Sequence, residues 1–151
     1  MEIKSIKIGD ITTENNLFLA PLAGYSDAAL RIICNDYGAS LAFTEMVSCK
    51  GLKYNPEKSL ELLYTYPEEK LKAVQIFGND PDIMGEIASS KYLEKFDLID
   101  INMGICMCVC PYILIHICES AVTLTMASQV ALVVKIRPAN AEGLERRWFN
   151  L

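Results

Sequence analysis

Residues 19–31 read Leu-Ala-Pro-Leu-Ala-Gly-Tyr-Ser-Asp-Ala-Ala-Leu-Arg, an apolar strand that passes through a tight turn of small residues into a helix. That passage constrains the fold more than any other part of the chain. Pro21 removes an N–H and fixes φ, Ala23 and Gly24 leave room above the main chain, and Ser26 or Asp27 can cap the helix that follows. A backbone so stripped of bulk can lie close to a flat ligand.

The rest of the sequence alternates in the same sense. Ile3 to Ile8 alternates apolar and polar with Gly9-Asp10 behind it, a hairpin signal, and Leu17 to Ala20 reads as a buried strand. Ala29, Ile32, Ile33 and Tyr37 fall at helical spacing before Gly38, which predicts a helix over 27–37 with a glycine stop. Leu41 to Glu45 is strand-like, and Pro56 opens a helix to Leu63. Lys72 to Phe77 is a strand, Asp80 before Pro81 caps a helix through about Ser89, and Leu98 to Asn102 is a further strand. Alternating strands and helices imply βαβ units and a parallel sheet. In α/β barrels active groups project from the carboxyl ends of such strands, and Pro21 to Gly24, Glu45, Gln75 and Asn102 all fall there.

Charge and cysteines narrow the partners. A net charge of −5 is the wrong sign for a surface that grips phosphate backbone unaided, and Lys50, Lys53 and Lys58 read as a solvated loop and helix face. No signal peptide precedes the first strand, so six cysteines argue for the reducing cytoplasm. Cys106, Cys108, Cys110 and Cys118 lack the Cys-x-x-Cys pairs of a structural zinc site, so no metal is expected and they read as small hydrophobes. Between Ile101 and Val134 only Glu119 is charged, yet Asn102, Pro111, His116 and Ser120 interrupt the run too often for a span of about 20 apolar residues. Buried strands and a covering helix explain it, and no membrane partner is expected.

Four segments in order, Pro21-Leu22-Ala23-Gly24-Tyr25-Ser26-Asp27, Thr44-Glu45-Met46-Val47, Val74-Gln75-Ile76-Phe77-Gly78 and Asp97-Leu98-Ile99-Asp100-Ile101-Asn102-Met103-Gly104, resemble the tRNA-dihydrouridine synthases. The resemblance covers residues 1–104. Residues 105–151 form a divergent, apolar, Cys-rich tail in which only the strand at 130–137, with its Val-Lys-Ile-Arg, again resembles the family. The implied fold is an eight-stranded α/β (TIM) barrel, which typically needs about 250 residues. A chain of 151 residues supplies roughly its N-terminal half. Half a barrel leaves strand edges and apolar surface uncovered, so self-association is expected.

The resemblance also implies chemistry. The cofactor would be FMN, reduced by NADPH or NADH, and the reaction would turn uridine in tRNA into dihydrouridine by hydride transfer to C6 and protonation of C5 by a cysteine. Pro21, Leu22 and Ala23 would line the flavin, Gln75 would bond its edge, and Lys135 would place positive charge near N1 and O2. Asn102 would position the uracil and Arg137 would meet substrate. Where the family has Asn-x-Gly-Cys-Pro, this chain has Asn102-Met103-Gly104-Ile105-Cys106, with Cys-Pro only at Cys110-Pro111. Spacing favours Cys106 as proton donor, and the proline favours Cys110. The phosphate-gripping loops of the family's second half have no counterpart here. Two other readings stand beside this one: a non-catalytic half-barrel remnant acting through self-association or a partner, and a flavin barrel akin to dihydroorotate dehydrogenase. A visible absorption spectrum separates flavoprotein from remnant.

Overall fold

Two short runs, Lys7–Ile8 (β1) and Ile11–Thr12 (β2), turn on Gly9-Asp10 into a hairpin that stands apart from the main sheet. A computed structural model of the chain describes residues 3–102 and, as backbone, the strands Val122–Met126 and Ala131–Ile136. Phe18–Leu19 (β3) enters the turn at Pro21, and Ala28–Asp36 (α1) leaves it. Asp27 is the cap of α1, its carboxylate accepting from the Leu30 N–H at 2.8 Å. The helix ends in a Schellman motif around Gly38, whose φ of 100° suits glycine: Ala39 N donates to the Cys34 carbonyl and Gly38 N to that of Asn35.

The strand expected at Leu41 to Glu45 runs on to Ser48 as β4 (Leu41–Ser48). Ser48 then caps a helix that the sequence reading did not foresee, Cys49–Tyr54 (α2), which leads into Pro56–Leu62 (α3). Lys72–Phe77 (β5), Pro81–Ala88 (α4, capped by Asp80) and Leu98–Asn102 (β6) fall where the pattern put them. Among the described residues two further strands follow, Val122–Met126 (β7) and Ala131–Ile136 (β8). The six-stranded sheet has the order β3-β4-β5-β6-β8-β7. Its first four strands are parallel, as the βαβ alternation implies, and they form one side of an α/β barrel wall. β8 departs from that expectation, because it runs antiparallel both to β6 and to β7. Only four residues separate β7 from β8, a hairpin's length, whereas a parallel return needs a crossover of a dozen or more.

Period-two alternation sends the two strand faces to different cores. Val74, Ile76, Ile99 and Ile101 face α2 and α4, where Leu52, Ile83, Met84 and Ile87 complete an apolar layer. Leu41, Phe43, Ala73 and Leu98, at the amino ends of the strands, form a second cluster with Ile8, Ile6 and Ile11 of the hairpin segment. The hairpin thus plugs the amino end of the inner face and leaves the carboxyl end to polar residues. The strand expected at Leu17 to Ala20 is shorter and less covered than a buried strand should be: Leu17, just before β3, and Phe18 are 39% and 37% exposed, because β3 is an edge strand with a partner on one side only among the described residues.

A buried ion pair ties α1 to the segment before β5. Arg31 donates through Nε to Glu69 Oε2 at 2.9 Å and through Nη2 to Glu69 Oε1 at 3.1 Å, both side chains being 1% exposed. The same guanidinium donates to the carbonyls of Ser26 and Tyr64, and Glu69 accepts from the Tyr66 N–H. Removing one partner strands a buried charge, so Arg31→Met should lower unfolding stability by about 3–5 kcal/mol in a urea titration, and Arg31→Met with Glu69→Leu should recover part of it. A loss under about 1 kcal/mol for the single change would mean that the pair behaves as an exposed one.

Candidate active site at the carboxyl ends of the strands

The turn at 21–24 is built from its own backbone. Leu22 O accepts from the N–H groups of Tyr25 and Ser26, and the buried Ser26 hydroxyl accepts from Leu22 N at 2.9 Å. Of the two residues able to cap α1, Asp27 does so and Ser26 clamps the turn. Gly24 has φ 76° and open space where a Cβ would stand. Pro21 is half-buried, and Leu22 and Ala23 are exposed.

A β-bulge joins this turn to the sheet. Pairing between β4 and β5 shifts register between Phe43 and Met46, which gives Thr44 and Glu45 no ordinary place in the ladder. The Thr44 hydroxyl takes over as acceptor for the Gln75 N–H at 3.2 Å, and the Glu45 carboxylate accepts from the Gly24 N–H. Glu45 is therefore the tether that holds the small-residue turn against β4.

Beyond the bulge the register is Met46 opposite Gln75 and Gln75 opposite Asp100. Asn102, two residues past Asp100, shares its face. Gln75 Nε2 donates to Asp100 Oδ2 at 2.5 Å, while Asn102 Nδ2 donates to Gln75 Oε1 at 3.3 Å and lies 3.1 Å from Met46 Sδ. Asp100 Oδ1 is buried without a hydrogen-bond partner among the described residues. Burial pushes the Asp100 carboxyl above the usual carboxylate range, against the opposing pull of the Gln75 hydrogen bond.

Pro21, Leu22, Ala23, Gln75 and Asn102 are thus brought to one end of the sheet through Glu45 and Met46. The backbone of Lys135 lies on β8 opposite Thr123, one residue beyond the Val134–Ile99 pair. The antiparallel course of β8 carries it toward the amino end of β6, away from Asn102. Cys106, Cys110 and Arg137 lie outside the described residues. Lys53, in the basic cluster, is paired with Glu86 at 2.5 Å, in keeping with a solvated helix face. Two members of the site had no assigned role in the sequence reading, Asp100 and Thr44. Asp100 carried a signal, a charged residue at an inward position of an otherwise apolar strand.

The amide of Gln75 has one N–H committed to Asp100 and one lone pair to Asn102, which leaves one donor and one acceptor for a ligand edge. That complement, beside an exposed turn whose Ala23 and Gly24 leave the main chain open, fits the polar rim of a flat heteroaromatic ring. A separate cavity of about 320 Å³ is lined by Asp27, Glu45, Glu61, Leu62, Tyr64 and Tyr66, among others. Three carboxylates in its wall oppose a phosphate-bearing ligand, and neither Gln75 nor Asn102 lines it. Among the described residues no helix is long and apolar enough to cross a membrane.

The segments that build this end of the sheet are also those shared with known proteins. Residues 18–115 match the family model described as dihydrouridine synthase. The chain is 39% identical over 99 residues to tRNA-dihydrouridine synthase B of Vibrio cholerae, which covers 66% of this chain and 31% of that protein. It is 42% identical over 99 residues to the Pasteurella multocida protein of the same name, covering 66% and 30%. A match to the Pseudomonas aeruginosa protein of that name extends over 134 residues at 34% identity, covering 89% and 38%. The chain spans about a third of the length of these curated relatives. With the turn at Pro21, the β4 bulge, Gln75 and Asn102 all inside the matched region, the chain belongs to the dihydrouridine synthase family.

Proposed function

We propose that this chain carries the flavin-side, amino-terminal part of an FMN-dependent tRNA-dihydrouridine synthase, an oxidoreductase of the cytoplasm that draws on NADPH or NADH to reduce uridine in tRNA. The observation that supports this most is the buried Gln75 amide, held by Asp100 and Asn102 in the carboxyl half of β5 with one donor and one acceptor to spare. FMN, when bound, supplies the carrier of hydride between nicotinamide and uracil. The chain's own residues do the rest. Pro21, Leu22 and Ala23 offer a smooth wall that shields one ring face from water, and Gln75 fixes the ring's polar edge. Asn102 orients the uracil, and Cys106 gives the proton to C5. Lys135 and Arg137 have no part in the contacts on which this reading rests.

Among the described residues the contacts are ring-side and none grips a phosphate, so they should hold the cofactor loosely. Titrating the protein with FMN and following fluorescence quenching should give a dissociation constant above about 1 μM, worth roughly 8 kcal/mol at most. Gln75→Ala should weaken it roughly tenfold, the value of one good buried hydrogen bond. Submicromolar binding unaffected by Gln75→Ala would contradict the assignment.

The cysteine assignment has its own test. Should the chain, alone or complemented with the rest of a relative, form dihydrouridine in tRNA, Cys106→Ala should lower the rate by about 10²–10⁴-fold, the usual contribution of a positioned acid. Loss confined to Cys110→Ala would move the role to the Cys-Pro pair.

A second reading, association through exposed strand edges, is favoured by the exposed apolar side chains in and beside β3 and α1: Leu17, Phe18, Ile33 at 52% and Tyr37 at 89% exposed. Sedimentation at several protein concentrations should show reversible self-association, and a monomer at all of them would remove this reading.

A further inference from the structure

Asp100 is costly where it stands. It is 4% exposed, its Oδ1 has no partner among the described residues, and its Oδ2 makes a single bond, to Gln75 Nε2 at 2.5 Å. A buried carboxylate with so few partners lowers stability, and an apolar residue of similar size would cost less. What a carboxylate does, and its amide counterpart does not, is accept without donating. An acceptor-only group facing a side-chain amide decides which end of that amide turns toward it. Here Nε2 of Gln75 faces Asp100, so Oε1 faces Asn102, and Asn102 must present its own Nδ2 to that oxygen, as it does at 3.3 Å. The direction of both amides is set in series from one buried acid. With Asn at position 100, its NH₂ could donate to Gln75 Oε1, and the whole row could invert at no cost in shape.

We propose that Asp100 is a positioning residue that fixes the polarity of the Gln75–Asn102 amide row, and thereby which atoms those two side chains offer to cofactor and substrate. The functional half of this statement rests on the reading of Gln75 as a flavin contact; the structural half does not. The parallel register supports it, because Gln75 and Asp100 are direct cross-strand partners and the residues flanking both, Val74, Ile76, Ile99 and Ile101, are fully buried on the opposite face. Neither side chain can swing toward the helices to find another partner.

The chain contains two glutamines, Gln75 and Gln129, so selective ¹⁵N-glutamine labelling gives two side-chain amide pairs in a proton–nitrogen correlation spectrum, assignable with Gln129→Ala. In the wild-type chain the Gln75 pair should be single and widely split, one proton being bonded to a carboxylate. In Asp100→Asn, which keeps the shape and is therefore expected to fold, that pair should collapse in splitting or double into two orientations. An unchanged Gln75 pair in Asp100→Asn would overturn the proposal. In parallel, Asp100→Asn should weaken FMN binding roughly two- to tenfold, the lower figure from loss of a unique orientation and the upper from loss of a charge-assisted bond. It should have no further effect in a Gln75→Ala background. Equal, additive losses in both backgrounds would show that Asp100 acts on the fold and not through Gln75, and would overturn the proposal. Were neither Gln75→Ala nor Asp100→Asn to alter FMN binding, the cofactor reading would fall, and the amide spectrum alone would decide the role of Asp100.

Discussion

The parallel register across β4, β5 and β6, in which Met46 pairs with Gln75 and Gln75 with Asp100, is the constraint on which the rest of the structure depends. Side chains alternate with a period of two, so a slip of one residue would turn Gln75 and Asp100 toward α4 and Ile76 and Ile99 toward the open end. The register is pinned from both sides. The helix-facing cluster around Val74, Ile76, Ile99 and Ile101 penalises any slip by desolvating polar groups, and the amino-end cluster around Phe43, Ala73 and Leu98 fixes where the strands begin. Polar chemistry at one end of the sheet is thus a consequence of apolar packing everywhere else.

That arrangement needs the turn at Pro21 to be held at a definite height, and two devices supply it. The bulge at Thr44 and Glu45 aims a carboxylate at the Gly24 N–H, while Arg31 anchors the first turns of α1 through the Ser26 carbonyl and Glu69. Both use charge where an apolar contact would serve stability as well or better. Charged groups with fixed donors and acceptors specify one geometry, and the proposed role of this site, close to a flat ring, would gain from that specificity. The same logic recurs at Asp100, where an acceptor-only group gives direction to two amides.

Much of this was legible in the sequence, because the signals were local. Asp80-Pro81 marks the start of α4, Gly38 the end of α1, and the apolar run 72–77 before Gly78 and the alternation in 98–102 match two strands to the residue. Gln75 stands inside β5, two residues before its end, and meets Asn102 because it pairs with Asp100, two residues before Asn102 on the same face. Other features depended on contacts between segments far apart in the chain. α2 is six residues long with Gly51 inside it, so periodicity gave no sign of it, and only Ser48 as a cap could have announced it. The bulge appears only when β4 meets β5, and the partner of Arg31 lies 38 residues away at Glu69. Lys135 illustrates the limit of order along the chain: the strand around it forms as expected, but its antiparallel pairing carries it two residues past the Gln75–Asp100–Val133 row, toward the amino end of β6.

The central claim is that the carboxyl-end face built by Pro21 to Ala23, Gln75 and Asn102 receives a flavin ring. A crystal structure of the chain grown with FMN tests it most directly. The account predicts the isoalloxazine lying against the 21–23 main chain with its polar edge within hydrogen-bond distance of the Gln75 amide, at about 2.7–3.2 Å. A ring seated instead in the acidic cavity between Tyr64, Tyr66 and Glu61, with Gln75 making no contact to it, would contradict it.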